Sequence, residues 1–183
     1  MARCNLLSLN NLERPCSSLG GIQTTVYITL KENIQDITFV EEQEPFNTIN
    51  QITLVEGAKW FKYEFNKNSS SFTSTANYDG QTAEFSYWQN DLALSFRKMD
   101  ASMRLGIQAL LQNEVVVVFT DANGVSSFLG YEEYVSSTSA SFTTGTAKTD
   151  SNAMSITLSD STSVLPYHLS ETALQAVKAN VQE

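Results

Sequence analysis

The chain has 183 residues, 42% of them hydrophobic, and a net charge of −9 with a sequence pI near 4.6. That length suits one domain with arms rather than two full domains. Its few, scattered Lys and Arg make no basic patch of the kind that displaces counterions from phosphates, so tight DNA or RNA binding is not expected.

Residues 1–21 read as an irregular N-terminal arm ending at the breaker Gly20-Gly21. Met1 to Leu9 lacks the continuous apolar stretch of a signal peptide, and no segment approaches the apolar run of a membrane helix. The expectation is therefore a soluble protein made in a cytoplasm. Cys4 and Cys16 both fall in this arm. Two free thiols are the expected state, with a small disulfide staple as the alternative. Together with the single distant His168 they fall short of a four-ligand zinc site.

Thr24 to Leu30 alternates as a strand, and Ile37 to Val40 forms a short second one before the exposed loop of Glu41, Glu42, Glu44 and Pro45. Ile49 to Val55 alternates again and Gly57 turns the chain. In Trp60 to Phe65 one face collects Phe61, Tyr63 and Phe65, which predicts the core face. A polar strand over Ser70 to Tyr78 meets the hairpin signal Asp79-Gly80. The long strand from Thr82 to Lys98 follows, with Gln89, Asn90 and Asp91 placed to bend or break it.

Asp100 is a suitable N-cap for a helix ending near Asn113, with Met103, Ile107, Leu110 and Leu111 in one apolar stripe. Val115 to Phe119 is an unbroken apolar run, expected as a central strand buried on both faces between that helix and an opposing sheet. Asp121 to Gly124 turns the chain into a hairpin over Val125 to Tyr131. A Ser/Thr-rich strand from Val135 to Thr144, a turn at Gly145 and a last clear strand at Met154 to Leu158 complete the β region, which Pro166 ends. Ser170 then caps a short helix with Leu174, Val177 and Val181 on one side, a stripe with no evident partner in the domain. The sum is nine or ten strands in a mainly β sandwich or partly closed barrel with one flanking helix. The expected division is an N-terminal arm (1–21), a β domain (22–162) and a C-terminal arm (163–183).

The residues offer no set for catalysis. Phosphate-loop, dinucleotide and nucleophile-elbow motifs are missing. His168 follows Pro166 in an apparent connector, where a surface or packing role is expected. Glu41-Glu42 and Glu132-Glu133 read as solvated pairs. Asp150, Ser151 and Asn152 read as an Asx turn, since the later Gly and Glu of a calcium loop are missing. The aromatic strand at Trp60–Phe65 reads as core rather than a stacking platform, and of Tyr87-Trp88 one side chain is expected to point outward. No catalytic, metal or cofactor-binding residue is assigned, and the chain is expected not to be an enzyme.

The order of pieces is informative. An arm with two Cys precedes Gly20-Gly21-Ile22 and Tyr27-Ile28, then GAKWFKYEFNKNSSSFT and the amphipathic helix; VVVVF, DANG and LGYEEYVSSTSASFTTGTAKTDSNAMSITLS follow. Over roughly Cys4 to Ser159, and most specifically over Phe61–Thr73 and Phe128–Leu158, this resembles tail-tube-like structural proteins of tailed phages of Bacteroidetes, including the crAss-like phages. The resemblance implies a virion tail protein assembled in the host cytoplasm. It implies a homo-oligomeric ring, hexameric in repeating tubes or one of a stack of distinct rings in a tail barrel. Neighbouring tail rings and portal-side or tail-tip proteins would be its partners, and DNA would pass the lumen without specific binding. Ser163 to Glu183 does not match that pattern and is expected to contact a neighbouring ring. The alternatives are a carbohydrate-binding or baseplate and receptor-binding β-sandwich, which needs exposed aromatics over a groove, and an inhibitor or small-ligand barrel, which needs a closed apolar cavity.

Overall fold

The computed structural model describes residues 19–40, 48–97, 101–147, 150 and 152–182. The expectations placed on Cys4, Cys16, the acidic loop at Glu41–Pro45, Asp100 and Ser151 lie outside the described residues, as does most of the N-terminal arm. In chain order the elements are β1 (Ile22–Leu30), β2 (Ile34–Phe39), β3 (Thr48–Leu54), β4 (Phe61–Glu64), β5 (Ser71–Tyr78) and β6 (Phe85–Arg97). They continue as α1 (Ala101–Gln112), β7 (Val115–Asp121), β8 (Ser126–Leu129), β9 (Ser136–Thr143), β10 (Ala153–Thr162), β11 (Tyr167–Leu169) and α2 (Glu171–Ala179). The fold is mainly β, as the composition implies.

The strands form a seven-stranded sheet in the order β2-β3-β11-β8-β7-β1-β4 and a four-stranded sheet in the order β5-β6-β10-β9. Only β11 with β3 pairs parallel among these neighbours. The two sheets pack face to face around Val26, Ile28, Val117 and Phe119 from one and Leu92, Leu94, Ile156 and Leu158 from the other. Phe72 on β5 meets Phe119 on β7 across the gap, with ring centroids 4.7 Å apart. α1 adds Ile107 and Leu110 to this core. Its stripe is narrower than expected: Leu111 is 44% exposed, because the 100° step per residue carries it past the contact line that Leu110 occupies.

The Val115–Phe119 run is a central strand buried on both faces, but its second neighbour differs from expectation. Val115, Val117 and Phe119 face the core shared with the four-stranded sheet and α1. Val116 and Val118 face a second core made with Trp60, Phe128, Leu169, Ala173, Leu174 and Val177. The covering helix on that side is α2, so the molecule has three layers.

This overturns the expected C-terminal arm. The β region does not end at Pro166: β11 inserts between β3 and β8, pairing His168 with Thr48 on one side and with Ser127 on the other. Ser170 is the N-cap, as its position predicts, with its hydroxyl accepting from the Ala173 N–H at 3.1 Å. Trp60 N–H donates to the Asn180 carbonyl and Gln182 N–H to the Trp60 carbonyl. The apolar stripe therefore has its partner within the chain, because strands far apart in sequence assemble an apolar face that sequence order does not display.

Two further expectations change. Phe61 is 45% exposed while Trp60 is buried; β4 is an edge strand whose ends are covered by different layers, so no single face of Trp60–Phe65 is the core face. Gln89, Asn90 and Asp91 do not break β6. That strand pairs without interruption with β10 from Arg97↔Ala153 to Trp88↔Thr162, because Asn90 is satisfied by partners inside the core, described below.

Candidate assembly surfaces

The four-stranded sheet has one apolar face and one polar face, as antiparallel strands with one solvated side do. Inward residues such as Phe72, Leu92, Leu94 and Leu158 fill the core. The alternate positions carry Ser71, Thr73 and Thr75 on β5, Gln89, Asp91, Ala93 and Ser95 on β6, and Ser155, Thr157, Ser159 and Ser161 on β10. The rows run straight across the strands: Thr73 pairs with Asp91 and Asp91 with Ser159. Their side chains join, Ser159 Oγ donating to Asp91 Oδ1 at 2.6 Å and Ser161 Oγ to Gln89 Oε1 at 3.1 Å. The charged residues of these four strands are Asp91, Arg97 and Asp160, and Asp160 points inward. The outer face is thus a hydroxyl-rich surface with one charge of each sign.

The sheet edges fall into two kinds. In the seven-stranded sheet, β4 carries the exposed pair Lys62–Glu64 at 3.0 Å, and β2 carries Asp36. Charge on an edge opposes pairing with another chain. In the four-stranded sheet, the edges β5 and β9 are each eight residues long and carry no charged side chain. They are the edges suited to pairing.

A polar network inside the sandwich ties the sheets together. Asp160 on β10 is 5% exposed. Its Oδ1 accepts from Asn90 Nδ2 at 2.8 Å, and its Oδ2 accepts from the Gly130 N–H, just beyond β8 of the other sheet, at 2.9 Å. Asn90 also donates to Thr162 Oγ1 at 2.9 Å and accepts from Ser74 Oγ at 2.6 Å. Burial raises the Asp160 pKa above the ordinary carboxylate range, opposed by the bonds from Asn90 and Gly130. Gly130 is required there: at φ +94° a Cβ would come within 2.9 Å of Val116 Cγ1 and 3.2 Å of the Val115 carbonyl. The space beside this network is a small, partly open pocket of about 10 Å³, room for one water at most. Sequence reasoning missed this cluster. Its signal was Asp160 continuing the inward row of Met154, Ile156 and Leu158 along β10.

The residues weighed for chemistry stay apart. His168 is exposed on β11 rather than in a connector. Glu132 and Glu133 lie in a loop rather than a strand, and Glu132 accepts from the Ser163 N–H at 2.6 Å. Asp150 accepts from the Thr146 and Ala147 N–H groups at 2.7 and 2.8 Å; its carboxylate thus bonds backward to the preceding turn, not onward to the N–H two residues on that defines the expected Asx turn, and these bonds lower its pKa. Trp60 and Phe65 are buried, whereas Tyr87 is 38% exposed and Trp88 half-buried. Among the described residues no cluster of three metal-ligating side chains occurs, and no helix is long and apolar enough to cross a membrane.

No protein-family model matches the chain, and no curated protein does. Among solved structures it is distantly similar to the SPP1 tail tube, solved by solid-state NMR and cryo EM. The TM-score is 0.35 at 13% identity, over 87% of this chain and 85% of that chain. At that score the likeness carries no argument about this chain.

Proposed function

We propose that the chain is a structural ring protein of a phage tail, of the kind its sequence resembles in tailed phages of Bacteroidetes and crAss-like phages, and that it works without catalysis or cofactor. The four-stranded sheet carries the reading: a hydroxyl-rich outer face bounded by two uncharged, open edges. In a ring, β5 of one copy lies beside β9 of the next, a heterologous contact that closes on itself and uses up both edges. The outer faces then line the lumen. A wall of hydroxyls with one Asp and one Arg per copy gives duplex DNA no cation cluster to hold it, and the net charge of −9 disfavours adhesion elsewhere. The ring is a hexamer or dodecamer in the virion tail, next to other tail rings or portal-side and tail-tip proteins.

The carbohydrate-binding reading needs exposed aromatics over a groove, and burial of Trp60 and Phe65 leaves Phe61 as the one largely exposed aromatic of the Trp60–Phe65 stretch. Light scattering and negative-stain imaging of the purified chain test the ring: six or twelve copies in a closed ring are expected. A stable monomer that binds a glycan array overturns it. Fluorescence anisotropy with random duplex at moderate salt tests the lumen, and a sub-micromolar Kd contradicts a non-adhesive wall.

A further inference from the structure

The β5–β6 hairpin overhangs the sandwich. β10 accompanies β6 only as far as Trp88, so Phe85 to Tyr87 pair with β5 alone. The overhang carries Tyr78 at 62% and Phe85 at 45% exposure, stacked edge-on at 6.2 Å, with Trp88 5.7 Å from Phe85. At its tip, Asp79 Oδ1 accepts from the Gln81 and Thr82 N–H groups at 2.7 and 2.8 Å. Those bonds hold the Asp79 pKa below the usual carboxylate range, and Glu84 adds a second exposed acid. The hairpin tip is therefore an exposed aromatic wedge flanked by negative charge.

The other end of the same sheet is complementary. Between α1 and β9–β10 runs an open groove of about 400 Å³, lined by Arg104, Ile107, Gln108, Leu111, Phe142 and Met154 among others. Leu111 and Phe142 are 44% and 47% exposed, and Arg104 has no ion-pair partner among the described residues. Met154 pairs with Phe96 on β6 and with Phe142 on β9. From Phe85 to Phe96, at ~3.4 Å per residue, the wedge and the groove are separated by roughly 35 Å along the strands. An apolar, acid-flanked projection and an apolar, Arg-bearing recess at opposite ends of one sheet suit each other in successive copies.

We infer that the Tyr78–Phe85 hairpin tip of one copy docks in the α1–β9 groove of a second copy along the strand direction, with Asp79 and Glu84 facing Arg104. This contact is head-to-tail and does not close, so it propagates along an axis. It deepens the ring reading by supplying the contact that stacks one ring on the next, and it takes only the ends of β5 and β9, at Tyr78 and Phe142, leaving the rest of those edges to close the ring.

Sedimentation velocity and negative-stain imaging of the full chain test it. Wild type is expected to form stacks, and Tyr78→Ser with Phe85→Ser is expected to leave unstacked rings of unchanged copy number. Asp79 caps its own turn, so the charge arm uses Glu84→Arg, expected to shorten stacks several-fold, with recovery when combined with Arg104→Glu. Stacks of wild-type length from the serine variant, or no recovery in the charge swap, overturn the contact. Rings that never stack in wild type overturn it while leaving the ring reading intact. Linear chains without rings, dispersed by the same variants, uphold the contact and overturn the ring. A wild type that stays monomeric overturns both.

Discussion

Replacing Leu174 by Ala tests whether α2 belongs to the fold of each protomer. Leu174 is 5% exposed and packs in the core that holds Trp60, Val116, Val118 and Phe128. Truncating a buried Leu to Ala costs ~2–5 kcal/mol through lost transfer energy and the cavity left behind. For a domain of 150–250 residues each kcal/mol lowers Tm by ~2–4 °C, so a fall of about 4–20 °C is expected. Lys178→Ala on the exposed face of the same helix is the control and should change stability by less than ~0.5 kcal/mol. Removing residues 167–183 is far more severe. It uncovers Trp60, Val116, Val118 and Phe128, and it takes away β11, the strand that joins β2–β3 to the rest of the sheet. The truncated chain should lose its cooperative transition. Trp60 fluorescence, isolated in a Trp88→Phe background, reports the loss as a red shift, since Trp60 is 1% exposed in the intact chain. The measurement is made at concentrations where light scattering finds monomer. If Leu174→Ala or the truncation leaves the monomer's Tm unchanged and impairs only association, α2 is ordered by a neighbouring copy and the second core is not intrinsic to the protomer.

Leu110→Ala should cost ~2–5 kcal/mol because Leu110 is buried beneath α1, whereas Leu111→Ala should leave urea stability within ~0.5 kcal/mol because Leu111 is partly exposed. Asp160 gives a pH dependence whose sign follows from its raised pKa. The folded state holds the proton longer than the unfolded state, so stability falls as pH rises from the ordinary carboxylate range through the raised value, and is flat above it. Asp160→Asn should abolish that slope in urea melts taken across this range. It should also cost ~1–3 kcal/mol at neutral pH, because an amide oxygen replaces only one of the two acceptors used by Asn90 and Gly130. A variant that keeps the wild-type slope shows that another group titrates.

The sequence by itself determined the local elements. Alternation over Thr24–Leu30 and Ser70–Tyr78, the unbroken Val115–Phe119 run, the turns at Asp79-Gly80 and Asp121–Gly124, and the Ser170 cap are each set by residues within a few positions of one another. Period and capping are short-range physics, so they are visible in the chain alone. The polar character of β5 and β9, two strands of the sheet that carries the candidate lumen face, was legible for the same reason. What only the tertiary structure decided depends on residues distant in sequence. The stripe of α2 looked unpartnered because Trp60, just before β4, Val116 on β7 and Phe128 on β8 come from three separate stretches of chain and form a face only once these are in place. Asn90 looked like a strand breaker because its partners Ser74, Asp160 and Thr162 arrive from β5 and β10. The uncharged character of β5 and β9 could be read from the sequence, but that they are the two edges of one sheet could not, since strand order is set by which apolar faces pack together.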